Sequence, residues 1–204
     1  MVTFKHFYQA GDSDLPTILM LHGTGGDEKD LLQIADFIAP KNPKLGVRGR
    51  LVEQGMTRYF NHLSNGSFDL ESLASETNLL LIEIKRLAEE YHLEYDKMIV
   101  LGFSNGANVA LYAMLNNLTP IKTGIFMHPM ILSNETASTA NIGPVWLSHG
   151  ILDPIVPERI FGLLQQKLAE AHADVTVFEH NKSHEVTMPE IEDAKKWFDE
   201  LNTK

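Results

Sequence analysis

The chain has 204 residues, a formal net charge of -10 at pH 7 and no cysteine. This length is enough to bury one sizeable hydrophobic core, so we expect a single domain over residues 1–204. The acidic balance argues against nucleic acid or an anionic membrane as a main partner, because both favour a basic surface. The lack of cysteine excludes disulfides, thiolate metal ligands and a cysteine nucleophile, which leaves serine as the obvious candidate for covalent chemistry.

The sequence shows no targeting or membrane-spanning pattern. Residues 1–15 contain Asp12 and Asp14 and no continuous apolar stretch, so they do not predict a signal peptide. No apolar run approaches the length that a bilayer span requires. We therefore expect a cytoplasmic protein without membrane insertion.

Apolar runs alternate with amphipathic stretches along the chain. Strands are predicted over 3–10, 17–21, 45–47, 98–101, 121–127, 145–148 and 175–178. Helices are predicted over 28–38, 70–92, 105–116, 158–171 and 190–201. This alternation predicts an α/β fold, with a mainly parallel sheet that helices cover on both faces.

The sequence also indicates one helix N-cap and two long loops. Asp27 stands directly before the helix predicted over 28–38 and is its predicted N-cap. Residues 48–68 and 128–143 show no clear periodicity and are predicted to be loops. Because long loops in compact domains are often functional, 48–68 is expected to border the site.

The most informative motif is Gly102-Phe103-Ser104-Asn105-Gly106. An apolar strand precedes it and a helix-prone segment follows, which is the context of a nucleophile elbow. In such an elbow the strand turns so sharply into the helix that Gly102 and Gly106 must lack a Cβ atom. Ser104 is the predicted nucleophile, at the positive end of the following helix. The alternative is a glycine-rich turn that only packs closely.

A nucleophilic serine needs a base within hydrogen-bond reach, and the base needs a third group to orient it. With a nucleophile elbow, the chain order should be serine, then acid, then histidine. Asp153 and His184 follow late predicted strands in that order. Ser104, Asp153 and His184 are therefore the predicted catalytic residues.

Other residues compete for these roles. His180 is the fallback base, and Glu179 is the fallback acid because it lies at the exit of the last strand. Asp174 lies at the wrong end of that strand. His180 and His184 have the spacing of a metal pair on a helix, but their segment is predicted to be a loop and shows no third ligand, so no metal is expected.

The remaining histidines are not predicted to be catalytic. His22 is expected to brace the turn after its strand, and His149 to pack or to bond a loop. The other histidines carry no spacing signal and are expected to be surface or core residues: His6, His62, His92, His128 and His172.

The glycine-rich segment 23–27 is the expected source of one oxyanion donor. The predicted donors are the backbone N–H groups of Thr24 and Asn105, because glycines allow the loop to approach a substrate closely. The alternative is a loop that only turns the chain. A phosphate-binding loop is not predicted, because the Gly-Lys-Ser/Thr ending is missing.

Residues 41–58 concentrate basic side chains in an otherwise acidic protein. One interpretation is structural ion pairing on a solvated surface. The other is that Arg48 or Arg58 favours a substrate with a negatively charged acyl or leaving group.

These motifs together resemble the alpha/beta-hydrolase superfamily, and within it the small phospholipase/carboxylesterase group that includes acyl-protein thioesterases. The resemblance covers residues 17–201. It is carried by Leu21-His22-Gly23-Thr24-Gly25-Gly26-Asp27, by Gly102-Phe103-Ser104-Asn105-Gly106-Ala107, by His149-Gly150-x-x-Asp153-Pro154-x-Val156-Pro157, by His184 and by Arg48-Gly49-Arg50 with the loop through Phe60.

The resemblance implies a three-layer α/β-hydrolase fold without a large cap domain. It implies esterase or thioesterase chemistry on a small molecule, with no cofactor. The sequence leaves a monomer and a homodimer open as oligomeric states. Arg48, Arg58 and Phe60 are implied to border the substrate. A weakly active binding or sensing protein and an amide or peptide hydrolase remain as alternatives.

Two positions depart from the family pattern. Asn105 stands where acyl-protein thioesterases usually have glutamine. Ser183 precedes His184 where the family usually has glycine.

Overall fold

The computed structural model describes residues 4–65, 67–132 and 140–201. The strands in these ranges are β1 (His6–Gln9), β2 (Ile18–Leu21), β3 (Lys44–Val47), β4 (Leu51–Glu53), β5 (Met56–Arg58), β6 (Ile99–Phe103), β7 (Thr123–Met127), β8 (Pro144–Gly150) and β9 (Asp174–His180). The helices are α1 (Leu32–Ile38), α2 (Leu70–Glu90), α3 (Asn105–Leu115), α4 (Glu158–Glu170) and α5 (Met188–Leu201). Thr3 of the predicted strand 3–10 lies outside the described ranges, and so do residues 133–139 of the predicted loop 128–143.

The central sheet has the strand order β1-β3-β2-β6-β7-β8-β9 within the described residues. Strand β1 pairs antiparallel with β3, and every other neighbouring pair is parallel. The parallel strands therefore end at one edge of the sheet. In open sheets of this kind, ligands bind beyond the carboxyl ends of the strands.

Apolar side chains cover both faces of the sheet. On one face, Leu19 and Val100 pack in a cluster with residues of α2, α3 and α4. On the other face, Met20 and Leu101 pack with residues of α1 and α5. Neighbouring residues of one strand thus point to opposite layers, which produces the predicted arrangement of three layers.

The start of α1 differs from the prediction. The helix begins at Leu32, and its N-cap Leu31 makes no side-chain capping bond. Instead, the side-chain Oδ1 of Asp27 accepts the backbone N–H of Lys29 at 2.8 Å. Such a local side-chain bond offers the backbone an alternative to the helix, so residues 27–31 form turns.

The segment 48–68 is more regular than predicted. It contains an antiparallel hairpin, in which Leu51 pairs with Arg58 and Glu53 with Met56. Gly55 turns the chain between the two strands with φ +80°. The strands have three residues each, which is too short for a period of two to stand out in the sequence.

A bilayer-spanning helix is not found in the part of the chain that the structure describes. Helix α2 has 21 residues, but it carries charged side chains along its length and packs on the sheet.

Candidate active site

Ser104 lies between β6 and α3 in a strained backbone conformation, with φ 48° and ψ -112°. A Cβ atom at Gly106 would lie 2.1 Å from the carbonyl oxygen of Leu21, and one at Gly102 would lie 2.8 Å from the Cα of Ala107. The strand can turn this tightly into the helix only because both flanking residues are glycine. The arrangement is that of a nucleophile elbow.

Ser104, His184 and Asp153 form one chain of hydrogen bonds. The Ser104 hydroxyl lies 2.8 Å from His184 Nε2, and His184 Nδ1 lies 2.6 Å from Asp153 Oδ2. The serine follows β6, the aspartate follows β8, and the histidine lies between β9 and α5. The fold thus brings together at one sheet edge three residues that are far apart in sequence.

Backbone donors hold the carboxylate of Asp153 in place. Its Oδ1 accepts the N–H groups of Ile155 at 2.8 Å and of Val156 at 3.0 Å. Burial alone would raise the pKa of this carboxyl. The hydrogen bonds from His184 and from the two backbone N–H groups outweigh burial, so the pKa of Asp153 is lowered from 3.8.

Thr24 and Asn105 border the same cleft as the Ser104 hydroxyl. Asn105 is the first residue of α3, where backbone N–H groups have no acceptor within the helix. The loop that carries Thr24 is fixed to the hairpin, because Gly25 N–H donates to the carbonyl of Thr57 at 2.8 Å. The Thr57 hydroxyl donates in turn to the carbonyl of Gly26 at 2.5 Å.

His22 is buried under this loop and braces it. Its Nδ1 lies 2.5 Å from the carbonyl oxygen of Gly23, and its Nε2 lies 2.9 Å from the backbone nitrogen of Gly49. A neutral imidazole with its proton on Nδ1 satisfies both contacts. Burial is the main cause that lowers the pKa of His22 from 6.5, which also favours the neutral ring.

The cleft above Ser104 has a volume of about 440 Å³. Apolar side chains form much of its wall. These are Met56, Phe68, Phe103, Met130, Ile155 and Val156. The hairpin contributes Met56 and Arg58, so it forms one wall of the cleft.

Of the three implied substrate-binding residues, only Arg58 lines the cleft. Arg48 lies at a separate surface cavity, where it pairs with Glu28 at 2.5 Å. Phe60 is fully buried in the core, where it packs edge to face against Phe68. Arg48 and Phe60 thus do not line this cleft, because an ion pair holds the first and the core encloses the second.

Most of the basic side chains of residues 41–58 are in ion pairs. Arg50 pairs with Glu76, and Lys44 with Asp36. Arg58 contacts Glu53 and His62, and its side chain is 7% exposed. Structural ion pairing thus accounts for four of these basic side chains, and Glu53 balances the charge of Arg58.

Sequence reasoning missed His128 as a residue of the site. His128 is fully buried and lies 3.2 Å from the same Asp153 oxygen that contacts His184. Its partner Glu190 is also fully buried, and Glu190 Oε1 lies 3.6 Å from His128 Nε2. No spacing rule identifies His128. Glu190 was recognisable, because Thr187-x-x-Glu190 before an apolar helix is a capping-box pattern.

The other candidates take different positions. His180 ends β9 and contacts Glu190 at 3.5 Å rather than Ser104. Glu179 lies 3.5 Å from His149, whose ring stacks on Phe161. Neither His180 nor Glu179 joins the hydrogen-bond chain of Ser104 among the described contacts.

Two trios of side chains bring metal-ligand atoms within 4.8 Å of one another. They are His128, Asp153 and His184, and His128, His180 and Glu190. Hydrogen bonds already engage His128 with Asp153 and with the carbonyl of Glu185. A metal ion at either trio would have to displace these bonds.

Comparisons with known proteins find similar sequences and structures. Residues 7–202 match the family described as phospholipase/carboxylesterase. The putative hydrolase MhqD of Bacillus subtilis (strain 168) is 37% identical over 198 residues, which are 96% of this chain and 98% of that protein. The structure of YahD with malic acid matches with a TM-score of 0.93 and 40% identity, covering 97% of this chain and 99% of that one. The carboxylesterase of Bacillus cereus matches with a TM-score of 0.92 and 36% identity, over 97% and 94% of the two chains.

Proposed function

The chain belongs to the phospholipase/carboxylesterase family, and we propose that it is a serine hydrolase that cleaves small carboxylic esters or thioesters through an acyl-enzyme. The supporting observation is the chain of hydrogen bonds from Ser104 through His184 to Asp153 at the cleft. All three side chains come from one chain, so the chemistry requires no second protomer.

In the first half of the reaction, the Ser104 oxygen attacks the carbonyl carbon of the ester. His184 Nε2 takes the hydroxyl proton, and Asp153 stabilises the imidazolium that forms. The backbone N–H groups of Thr24 and Asn105 bind the oxyanion of the tetrahedral intermediate. When this intermediate collapses, the bond to the alcohol or thiol breaks and the leaving group receives the proton from His184.

In the second half, water attacks the ester bond between the acyl group and Ser104. His184 takes a proton from the water and returns it to the serine oxygen as the carboxylic acid leaves. Each cycle thus consumes one water, releases one acid and one alcohol or thiol, and restores the resting hydrogen bonds.

The cleft favours a small and mostly apolar acyl group. Its volume of about 440 Å³ and its apolar wall suit a short acyl chain. Arg58 is a cationic side chain of this wall, but it is paired with Glu53 and so offers little net charge. We therefore propose that neutral esters are preferred over anionic esters of equal length.

The nucleophile is tested with a fluorophosphonate probe followed by intact-mass measurement. We expect one adduct on the wild type and none on Ser104→Ala, which should also lose turnover of p-nitrophenyl acetate. Ser75→Ala is the matched control, because Ser75 is exposed on α2. A folded Ser104→Ala variant with full activity would refute the proposal.

The substrate class is tested with a matched panel of ester, thioester and amide that share one acyl group. Faster turnover of the ester and thioester than of the amide is expected. A higher rate on the amide would favour a peptidase or amidase. Labelling without turnover of any of the three would favour a binding or sensing protein.

The charge preference needs a second panel, in which neutral and anionic esters have equal length. YahD was solved with malic acid, a dicarboxylic acid, so the anionic compound is a relevant competitor. A higher kcat/KM for the neutral ester is expected. A clear preference for the anionic ester, lost in Arg58→Gln, would assign a substrate-binding role to Arg58.

A further inference from the structure

His128 shares a carboxylate oxygen of Asp153 with His184. The Asp153 Oδ2 atom lies 2.6 Å from His184 Nδ1 and 3.2 Å from His128 Nδ1. The two imidazole rings are 5.1 Å apart between their centroids. His128 does not contact Ser104 in the described hydrogen bonds, so the chemistry of the triad leaves it without a role.

The ring of His128 faces a hydrogen-bond acceptor at each nitrogen. Its Nδ1 faces the Asp153 carboxylate, and its Nε2 lies 3.1 Å from the backbone carbonyl oxygen of Glu185. A neutral imidazole carries one N–H and would satisfy one of these acceptors, whereas an imidazolium satisfies both. His22 is the opposite case, because it faces one carbonyl oxygen and one backbone N–H.

A proton on Asp153 could in principle replace the second proton on His128. The other contacts of this carboxyl oppose that arrangement, because Ile155, Val156 and His184 all donate to it. Three donors favour the ionised carboxylate, which can only accept. The second proton therefore belongs to His128.

Glu190 supplies the balancing charge. It is fully buried, and it accepts the Ser148 hydroxyl at 2.5 Å and the Thr187 N–H at 2.9 Å. Its Oε1 lies 3.6 Å from His128 Nε2. A fully buried carboxylate without a cation would be costly, so Glu190 and His128 stabilise each other in their charged forms.

The groups that face His128 come from each element packed against it. The titratable ones are Asp153 after β8, His180 on β9, His184 before α5, and Glu190 on α5. His180 accepts the N–H of Lys182 on its Nδ1 at 3.2 Å, and its Nε2 lies 3.5 Å from Glu190 Oε2. Burial lowers the pKa of His128, but Glu190 and Asp153 outweigh burial and raise that pKa from 6.5.

We propose that His128 is a positioning residue that stays an imidazolium and holds Asp153 ionised. Its charge keeps His184 unprotonated at lower pH than if Asp153 were the only charged group beside His184. The proposal rests on the proposed role of His184 as the base. No proton passes through His128 during the reaction. Its fixed charge acts on His184 across 5.1 Å, because like charges at this distance disfavour a second imidazolium.

The charge of His128 is tested directly by nitrogen NMR of the histidine rings in the whole protein. We expect both ring nitrogens of His128 to show imidazolium shifts at pH 6.5, where an ordinary histidine is half protonated, and to lose the proton only at higher pH. His22 is the internal reference and should show one protonated and one unprotonated nitrogen. This measurement needs no substrate, so it stays valid if the proposed function fails.

The effect on the base is tested by the pH dependence of kcat/KM in His128→Asn. The acid limb should move upward by about one pH unit or more, because the positive charge near His184 is gone. His172→Asn is the matched control. Both histidines have a left-handed backbone, with φ 51° and 59°, which asparagine tolerates well. His172 lies in the turn after α4, and its replacement should leave the acid limb in place.

The outcomes separate the two proposals. A neutral ring signature for His128 at or below pH 6.5 overturns this inference, and so does an unchanged acid limb in folded His128→Asn. If His128→Asn does not fold, the NMR measurement on the wild type decides. Failure of Ser104 to react with fluorophosphonate in the wild type would overturn the proposed function instead.

Discussion

Single glycines determine whether Ser104 can take its position above the sheet. Gly106 packs so closely on β2 that a methyl group there would lie 2.1 Å from the Leu21 carbonyl oxygen. Backbone atoms form this contact, so no side chain can rotate away. The fixed turn presents the Ser104 hydroxyl to His184 at 2.8 Å.

Gly106→Ala is therefore expected to destabilise the protein by about 3 kcal/mol and to reduce kcat strongly. Gly162→Ala is its control, because a methyl group at Gly162 on α4 would meet no atom within 4 Å. That change should stabilise the helix by roughly 0.5–1 kcal/mol. Urea unfolding with p-nitrophenyl acetate kinetics measures both effects, and wild-type behaviour of Gly106→Ala would refute the account of the turn.

The residues that sequence reasoning could identify are those with a local signature. Ser104 has two flanking glycines, and Asp153 and His184 follow strands in a fixed order. The structure brings these three side chains within hydrogen-bond distance of one another along one chain. His128 has no comparable signature, because its position depends on how β7 lies beside β8 and on the approach of α5, and neither is visible in the local sequence.

At the scale of elements, the hairpin β4–β5 holds the glycine-rich loop 23–27 in place. Thr57 makes two contacts to this loop, one through its backbone carbonyl to Gly25 and one through its hydroxyl to Gly26. The hydroxyl bond joins the hairpin to a loop that lies outside the paired strands of the described residues.

Thr57→Val keeps the shape of the side chain and removes its hydroxyl donor. One neutral hydrogen bond is worth about 0.5–1.5 kcal/mol, so kcat/KM should fall by about 2- to 10-fold if the loop carries an oxyanion donor. Thr57→Ser keeps the donor and should retain most of the activity. Equal kcat/KM values for the valine variant and the wild type would show that the loop holds its position without this bond.

The long elements were predictable from periodicity and the short ones were not. The predictions for α2 and α4 lie within two residues of the observed ends. Helix α1 was predicted too early, because the Asx turn at Asp27 resembles an N-cap in sequence. The hairpin was missed because each strand has three residues.

For the molecule as a whole, the buried charges near Asp153 link stability to pH. Burial would raise the pKa of Glu190, but bonds to His128, Ser148 and Thr187 lower it from 4.5. The stabilising contribution of Glu190 is therefore present above pH 4.5 and is lost as pH falls through the lower pKa of the folded state. The pKa of His128 is raised from 6.5, so its contribution is complete below pH 6.5 and is lost as pH rises through the higher folded value.

The free energy of unfolding should therefore fall from pH 6 to pH 9 more in the wild type than in His128→Asn. The difference should be about 1.4 kcal/mol for each unit by which folding raises the pKa. Urea unfolding at a series of pH values measures it, with His172→Asn as the control that should follow the wild type. Parallel curves for wild type and His128→Asn would contradict the charged state of His128.

The central claim is that Ser104 carries the acyl group during turnover. The most direct measurement is rapid acid quenching during p-nitrophenyl acetate turnover, followed by mass spectrometry of the peptides. We predict one acetyl group on the peptide that contains Ser104, which accumulates in a burst and is absent from Ser104→Ala. Steady turnover by Ser104→Ala, or an acetyl group on another residue that forms and decays at the rate of turnover, would contradict it.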